Sequence, residues 1–227
     1  ETSCARSMSP FLAQFDCRSR RGVVDYRRGG GARVVPSSQP STYHTDMDTH
    51  EASGKILVTG RPGVGKTTLI MRLAERLADL HPAGFVTEEI RERGVRVGFA
   101  LATLDGRQRS RLATVDVSSP YRVGKYGVDI AALERFLAAM EFPHDLHTPV
   151  LIDEIGKMEC LSPAFRSLVT TLLDSSRPLV ATVALAGSAF IAGVKAHPAV
   201  RVWTVTPEAR DAQLDRLEEA VRRSCSG

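Results

Sequence analysis

The stretch "KILVTGRPGVGKTTLIMRLAERL" (55–77) decides the fold. It opens as an apolar run, the pattern of a strand buried on both faces. Its second half carries Leu69, Ile70, Leu73 and Leu77 at helical spacing, and the apolar face continues to Leu80, so a helix is expected over 66–80. The join, "GRPGVGKT" (60–67), satisfies G-x-x-x-x-G-K-[ST] in full. Average composition supplies such a match by chance in about one chain per hundred of this length. A strand entering and a helix leaving make chance weaker still as an explanation. Gly60, Gly63 and Gly65 let the backbone turn tightly and approach crowded phosphate oxygens. The loop amides and the helix start then face the anion. Lys66 supplies a point charge for the β- and γ-phosphates. The Thr67 hydroxyl is a hard oxygen ligand suited to Mg²⁺. Thr68 adds at most a phosphate contact.

The second informative stretch is "LIDEIGKMEC" (151–160). Asp153 follows an apolar run and so stands at the carboxyl end of a strand, the ligand-binding edge of an open α/β sheet. Beside a phosphate loop, an acid there is the expected partner of Mg²⁺. Glu154 points differently and is free to orient a water or take its proton. Lys157 lies three residues further on. It either supplies transition-state charge or is a solvated lysine, and the residues leave both readings open. Cys160 reads as packing.

Around these two stretches the chain alternates short strands and helices. Residues 84–115 lack a helical period, and Arg93–Gly94 and Asp105–Gly106 read as hairpin turns. "GVDIAALERFLAAM" (127–140) is amphipathic. Ser162 and Pro163 form an N-cap and first-turn proline for a helix ending near Ser175. Further strands are expected at 149–155, 178–185 and 200–205. A last helix starts at Thr206–Pro207–Glu208 and carries Leu214, Leu217 and Val221 on its face. Apolar strands separated by helices argue an α/β fold, a mostly parallel sheet covered on both sides with a β-hairpin insertion.

Residues 1–53 differ in character. "RRGVVDYRRGGGARVVPSSQPST" (20–42) is rich in Arg, Gly, Ser and Pro and is expected to be disordered. An organellar transit peptide and an over-long upstream reading both fit it, and Met47 opens a natural start for the domain at 54–227. Residues 1–45 hold seven Arg and three acids, a net +4, which equals the charge of the whole chain. Residues 46–227 are therefore formally neutral. The basic balance gives no warrant for a nucleic-acid face on the domain. No run approaches the roughly 18 apolar residues of a membrane helix. The four cysteines lack zinc-ligand or redox spacing, which favours free thiols in a reducing, cytoplasmic setting.

"TGRPGVGKTTL", "GFVTEEIR", "RVGKYGVD", "IDEIGKME" and "VTPEARD" occur in this order, and together they resemble the small P-loop nucleoside triphosphatases typified by the cancer-related nucleoside triphosphatase and its thermophilic relatives. The resemblance covers about residues 55–212. It implies a P-loop NTPase fold and Mg²⁺-dependent hydrolysis of nucleoside triphosphates to diphosphate and phosphate, with broad base tolerance. It also implies nucleotide-binding positions at Gly60, Arg61, Pro62, Gly63, Val64, Gly65, Lys66 and Thr67. A second set is Val150, Leu151, Ile152, Asp153, Glu154, Ile155 and Gly156. No Asn-Lys-x-Asp guanine reader occurs in the chain. One departure is Ala209, where the family has Asn.

The expected roles are Glu154, Lys66 and Lys157 in catalysis and Thr67 and Asp153 on the metal. Nucleoside triphosphates are the expected partners, without membrane or nucleic acid. Two rival readings use the same scaffold. One is a small-molecule or nucleotide kinase, for which Arg107, Arg109 and Arg111 would have to form a lid. The other is a nucleotide-dependent switch using the basic segment to contact nucleic acid. Glu88, Glu89, Arg91 and Lys125 fall in family segments but read equally as hairpin ion pairs and a turn.

Overall fold

The computed structural model describes residues 54–207 and 210–226. The basic segment 1–53 and Ala209 lie outside the described residues, as do the expectations placed on them. Among the described residues the elements run β1 (Lys55–Thr59), α1 (Lys66–Arg76), β2 (Ala83–Glu92), β3 (Val95–Thr103), β4 (Arg109–Thr114), β5 (Arg122–Val123) and β6 (Tyr126–Val128). They continue α2 (Ile130–Ala139), β7 (Val150–Ile155), α3 (Pro163–Asp174), β8 (Leu179–Val183), α4 (Ala189–Lys195), β9 (Val200–Thr204) and α5 (Arg210–Cys225).

All the strands join one sheet in the order β5-β6-β4-β3-β2-β7-β8-β1-β9. Its body is parallel: β2, β7, β8, β1 and β9. The hairpin insertion is antiparallel and widens the same sheet outward from β2 through β3, β4, β6 and β5. Its first turn uses Arg93 at φ 49° and Gly94 at φ 80°. Two successive positive φ values match the twist of a two-residue hairpin, as the Arg-Gly pair suggested.

Strand periodicity sorts the core into two layers. Ile56 and Val58 of β1, Leu151 of β7, Val86 of β2 and Val180 of β8 pack with Leu69, Ile70, Leu73 and Leu77 and with Leu214, Leu217 and Val221 of α5. Each such side chain contributes about 1.5–3 kcal/mol by leaving water. On the other face Phe85 meets Phe136 of α2 and Phe165 of α3 edge-on, with ring centroids 5.7 and 6.2 Å apart. Helices therefore cover both faces. Because side chains alternate along a strand, Asp153 shares the Leu151 side, the face that α1 covers.

The elements differ from the sequence expectations in three places. α1 stops at Arg76 and gives way to a 3₁₀ turn at Ala78–Leu80, so the apolar face outlasts the α-helix. Gly127 and Val128 belong to β6, and α2 starts only at Ile130. There the Asp129 side chain caps the helix by accepting from the Ala132 amide at 2.8 Å. α4 was not read from the sequence. Its seven residues fall below the window over which a helical period is legible, and Ser188 at its N-cap is the remaining signal.

Candidate active site

The phosphate loop forms the crossing from β1 to α1. Gly65 is the N-cap of α1 at φ 96°, a left-handed backbone that a side chain would strain. Gly63 is also left-handed, at φ 77°. Arg61, Pro62, Thr67 and Thr68 are exposed, while Val64 packs partly against the core beneath. The loop is thus anchored from below and open above. Lys66 folds back over it, donating from Nζ to the Gly60 carbonyl at 3.3 Å.

β7 delivers the acids. Val150, Leu151, Ile152 and Ile155, expected within a nucleotide-binding segment, are fully buried. Their side chains are core, so their part is to carry Asp153 and Glu154 to the strand edge. Asp153 is 2% exposed. Its Oδ2 accepts from Thr67 Oγ1 at 2.6 Å, and its Oδ1 accepts from Thr182 Oγ1 of β8. Glu154 Oε2 stands 3.9 Å from Lys66 Nζ, with its side chain 32% exposed. Thus Lys66, Thr67, Asp153 and Glu154, drawn from two distant stretches, meet at one edge.

Burial decides the electrostatics. It raises the Asp153 carboxyl above the usual range, against the Thr182 and Thr67 hydrogen bonds and the Lys66 charge. It raises Glu154 too. There the Lys66 ammonium opposes the shift and the Asp153 charge adds to it. A third acid joins them. Glu159, in a 3₁₀ turn at Glu159–Leu161, is buried and pushed up to about 8 by desolvation, with Glu154 and Asp153 adding repulsion. Thr87 of β2 faces its Oε1 at 3.5 Å. Gly156 leaves room for this packing. A Cβ there would lie 2.6 Å from Glu159 Oε2 and 3.1 Å from Glu154 Oε1.

Glu159 and Thr182 carry no local sequence signal that marks them for the site. Glu159 stood in the quoted motif, but its burial is not readable from a Met-Glu-Cys run. Thr182 lies in an apolar strand and becomes relevant only once β8 is placed beside β7. Lys157 is exposed and, with Cys160, Leu161, Ala186, Gly187 and Ser188, lines a cavity of about 350 Å³. The Cys160 thiol is pushed up to about 12, first by burial and then by the Glu159 charge, in keeping with a packing role. The hairpin charges pair among themselves: Glu88 with Arg109 at 2.7 Å, Glu89 with Arg91 at 2.5 Å and Arg96 at 2.6 Å, and Arg107 with Asp105 at 3.5 Å. Lys125 lies over the Tyr126 ring, 5.4 Å from its centroid. These arginines sit on strands and turns of the sheet extension rather than on a lid.

The donor set suits a hard divalent ion. Thr67 and Asp153 offer hydroxyl and carboxylate oxygens side by side. Among the described residues no group of three or more His, Cys, Asp or Glu is arranged to hold a metal alone. Mg²⁺ is commonly bound in this way, by one or two protein oxygens with phosphates and water completing the shell.

The family model described as NTPase matches residues 55–217. The chain belongs to the NTPase family. Nucleoside-triphosphatase THEP1 of Thermotoga petrophila is 43% identical over 164 residues, which is 72% of this chain and 90% of the relative. The Thermotoga maritima protein of the same name is 41% identical over 164 residues, 72% of this chain and 92% of that one. The crystal structure of THEP1 from Aquifex aeolicus superposes with a TM-score of 0.64 at 35% identity, covering 74% of this chain and 99% of that one. The solution structure of a human cancer-related nucleoside triphosphatase gives a TM-score of 0.62 at 32% identity, covering 75% and 98%. The α/β architecture with its P-loop is the architecture of this family. No helix among the described residues is long and apolar enough to cross a membrane.

Proposed function

We propose that the chain hydrolyses nucleoside 5'-triphosphates to diphosphate and phosphate, with Mg²⁺ and with tolerance of the base. The observation that carries this reading is the meeting of Lys66 and Thr67 of the phosphate loop with Asp153 and Glu154 at the end of β7. The family to which the chain belongs supports it.

The residues divide the work. The loop amides from Gly63 to Thr67 hold the phosphate oxygens, and Lys66 exchanges its Gly60 contact for the β- and γ-phosphates. Thr67 and Asp153 would hold Mg²⁺, which supplies charge neutralisation at the phosphates. Thr182 fixes the Asp153 carboxylate from behind. Glu154 orients the attacking water and takes its proton as the new oxygen–phosphorus bond forms and the bond to the diphosphate oxygen breaks. Its raised proton affinity suits that task, with the Lys66 charge at 3.9 Å opposing the rise. Lys157, exposed just beyond Gly156, is the second cation in the reading. Base tolerance is supported by the lack of an Asn-Lys-x-Asp guanine reader.

The test is phosphate release from a panel of ATP, GTP, CTP and UTP with Mg²⁺, and from the corresponding diphosphates. Release from all four triphosphates and not from diphosphates is expected. Release only when a hydroxylated acceptor is added would replace this reading with a kinase.

A further inference from the structure

We propose that Arg210 is a direct ligand of the nucleotide's phosphate chain, a second cation on the phosphate loop beside Lys66; this rests on the triphosphatase reading. Arg210 is the first residue of α5, and its side chain lies against the loop. A Cβ placed on Gly65 would stand 2.8 Å from Arg210 Nη1 and 3.3 Å from its Cδ. Gly65 immediately precedes Lys66 and caps α1, so the guanidinium sits at the anion-facing turn of the loop.

Its hydrogen-bonding capacity is not used up there. The Arg210 Nε is buried and has no acceptor among the described residues. The acid next to it, Asp211, is already engaged by Arg72 at 2.6 Å. Arg76 reaches Asp215 at 2.5 Å and Glu218 at 3.2 Å, so α5 is tied along α1 and the start of α5 is held in place. A buried donor without a partner is costly. A polyanion seated on the loop supplies the missing acceptor. The planar guanidinium fork matches phosphate oxygens in a way a lysine does not. The competing partner is internal: Gln213 Oε1, three residues along α5, is also buried and without a donor.

The test compares full-length parent, Arg210→Gln and Arg210→Lys by calorimetric titration with ADP and with inorganic tripolyphosphate, each with Mg²⁺. A lost charge-assisted contact weakens binding by about tenfold or more. Arg210→Gln is expected to lose that much for both ligands, and Arg210→Lys to lose less. Arg210→Gln binding both ligands within about twofold of the parent, with or without a lower Tm, would overturn the inference and leave Arg210 as a packing group of α5. Loss for ADP alone would also overturn it, placing the contact on ribose or base. A parent that binds neither ligand would fell the triphosphatase reading and this inference with it.

Discussion

Thr67 Oγ1 donates to Asp153 Oδ2 at 2.6 Å, joining residues 86 positions apart in the chain. The contact closes the phosphate loop onto β7 and leaves two hard oxygens adjacent. Thr182 holds the other Asp153 oxygen. Replacing Thr182 by Val keeps the shape and removes that bond. Supporting hydrogen bonds of this kind are worth about 10- to 100-fold in metal affinity. Thr182→Val should therefore raise the Mg²⁺ concentration for half-maximal phosphate release by that factor, with ADP binding in the absence of metal unchanged. An unchanged Mg²⁺ titration would remove Thr182 from the site.

Glu154 is the proposed proton acceptor. Positioned acid–base groups contribute about 10²–10⁴ in rate. Glu154→Gln should lower kcat by such a factor while nucleotide affinity stays near that of the parent. Activity within a few-fold of the parent at saturating Mg·ATP would sink the assignment. The pH profile adds a second check. With burial raising the Glu154 carboxyl, parent activity should fall as the solution is acidified through that raised range. The residual activity of Glu154→Gln should lose the part of that dependence that Glu154 contributes, leaving the part set by the Asp153 carboxyl.

On the proposed reading Lys157 supplies the transition-state cation that a partner would otherwise bring. It is exposed and lines the cavity together with Gly187 and Ser188. A cation at the γ-phosphate is worth about 10³–10⁵ in related chemistry. Lys157→Ala should lower kcat more than about tenfold with KM little changed. Equal kinetics in the two proteins would return Lys157 to the solvated surface.

The parts of the site legible in the sequence were those set by local pattern. The strand–glycine loop–helix at 55–77 fixed Lys66 and Thr67. The apolar run before Asp153 fixed its place at a strand end. What escaped depended on strand order. Thr182 reaches Asp153 because β8 lies beside β7, and Glu159 reaches the acids because Gly156 lets the chain turn back under them. Arg210 meets Gly65 only through the packing of α5 on α1. The short helix α4 and the strands β5 and β6 escaped for another reason: too few residues repeat for a period to show. The widened sheet illustrates the same limit. Its hairpin turns were readable, but their joining the parallel body at β2 was not.

Glu159 offers a prediction about stability rather than rate. The residue is 4% exposed, and its carboxyl is pushed up to about 8 in the fold, against about 4.5 in an unfolded chain. The folded state therefore holds this proton more tightly than the unfolded state does. The contribution is fully present below about pH 4.5 and is lost as pH rises towards and through about 8. Asp153 and Glu154 are shifted in the same direction, so the parent's urea midpoint should fall as pH rises from 5 to about 8. Glu159→Gln replaces a neutral carboxyl by a neutral amide and removes one titrating group from the sum. Near pH 5 the variant should match or slightly trail the parent, because the half-buried Thr87 contact is altered. Near pH 8 it should be the more stable of the two, since it has no charge to bury. Equal slopes of unfolding free energy against pH in the two proteins would show that the fold does not raise the proton affinity of Glu159.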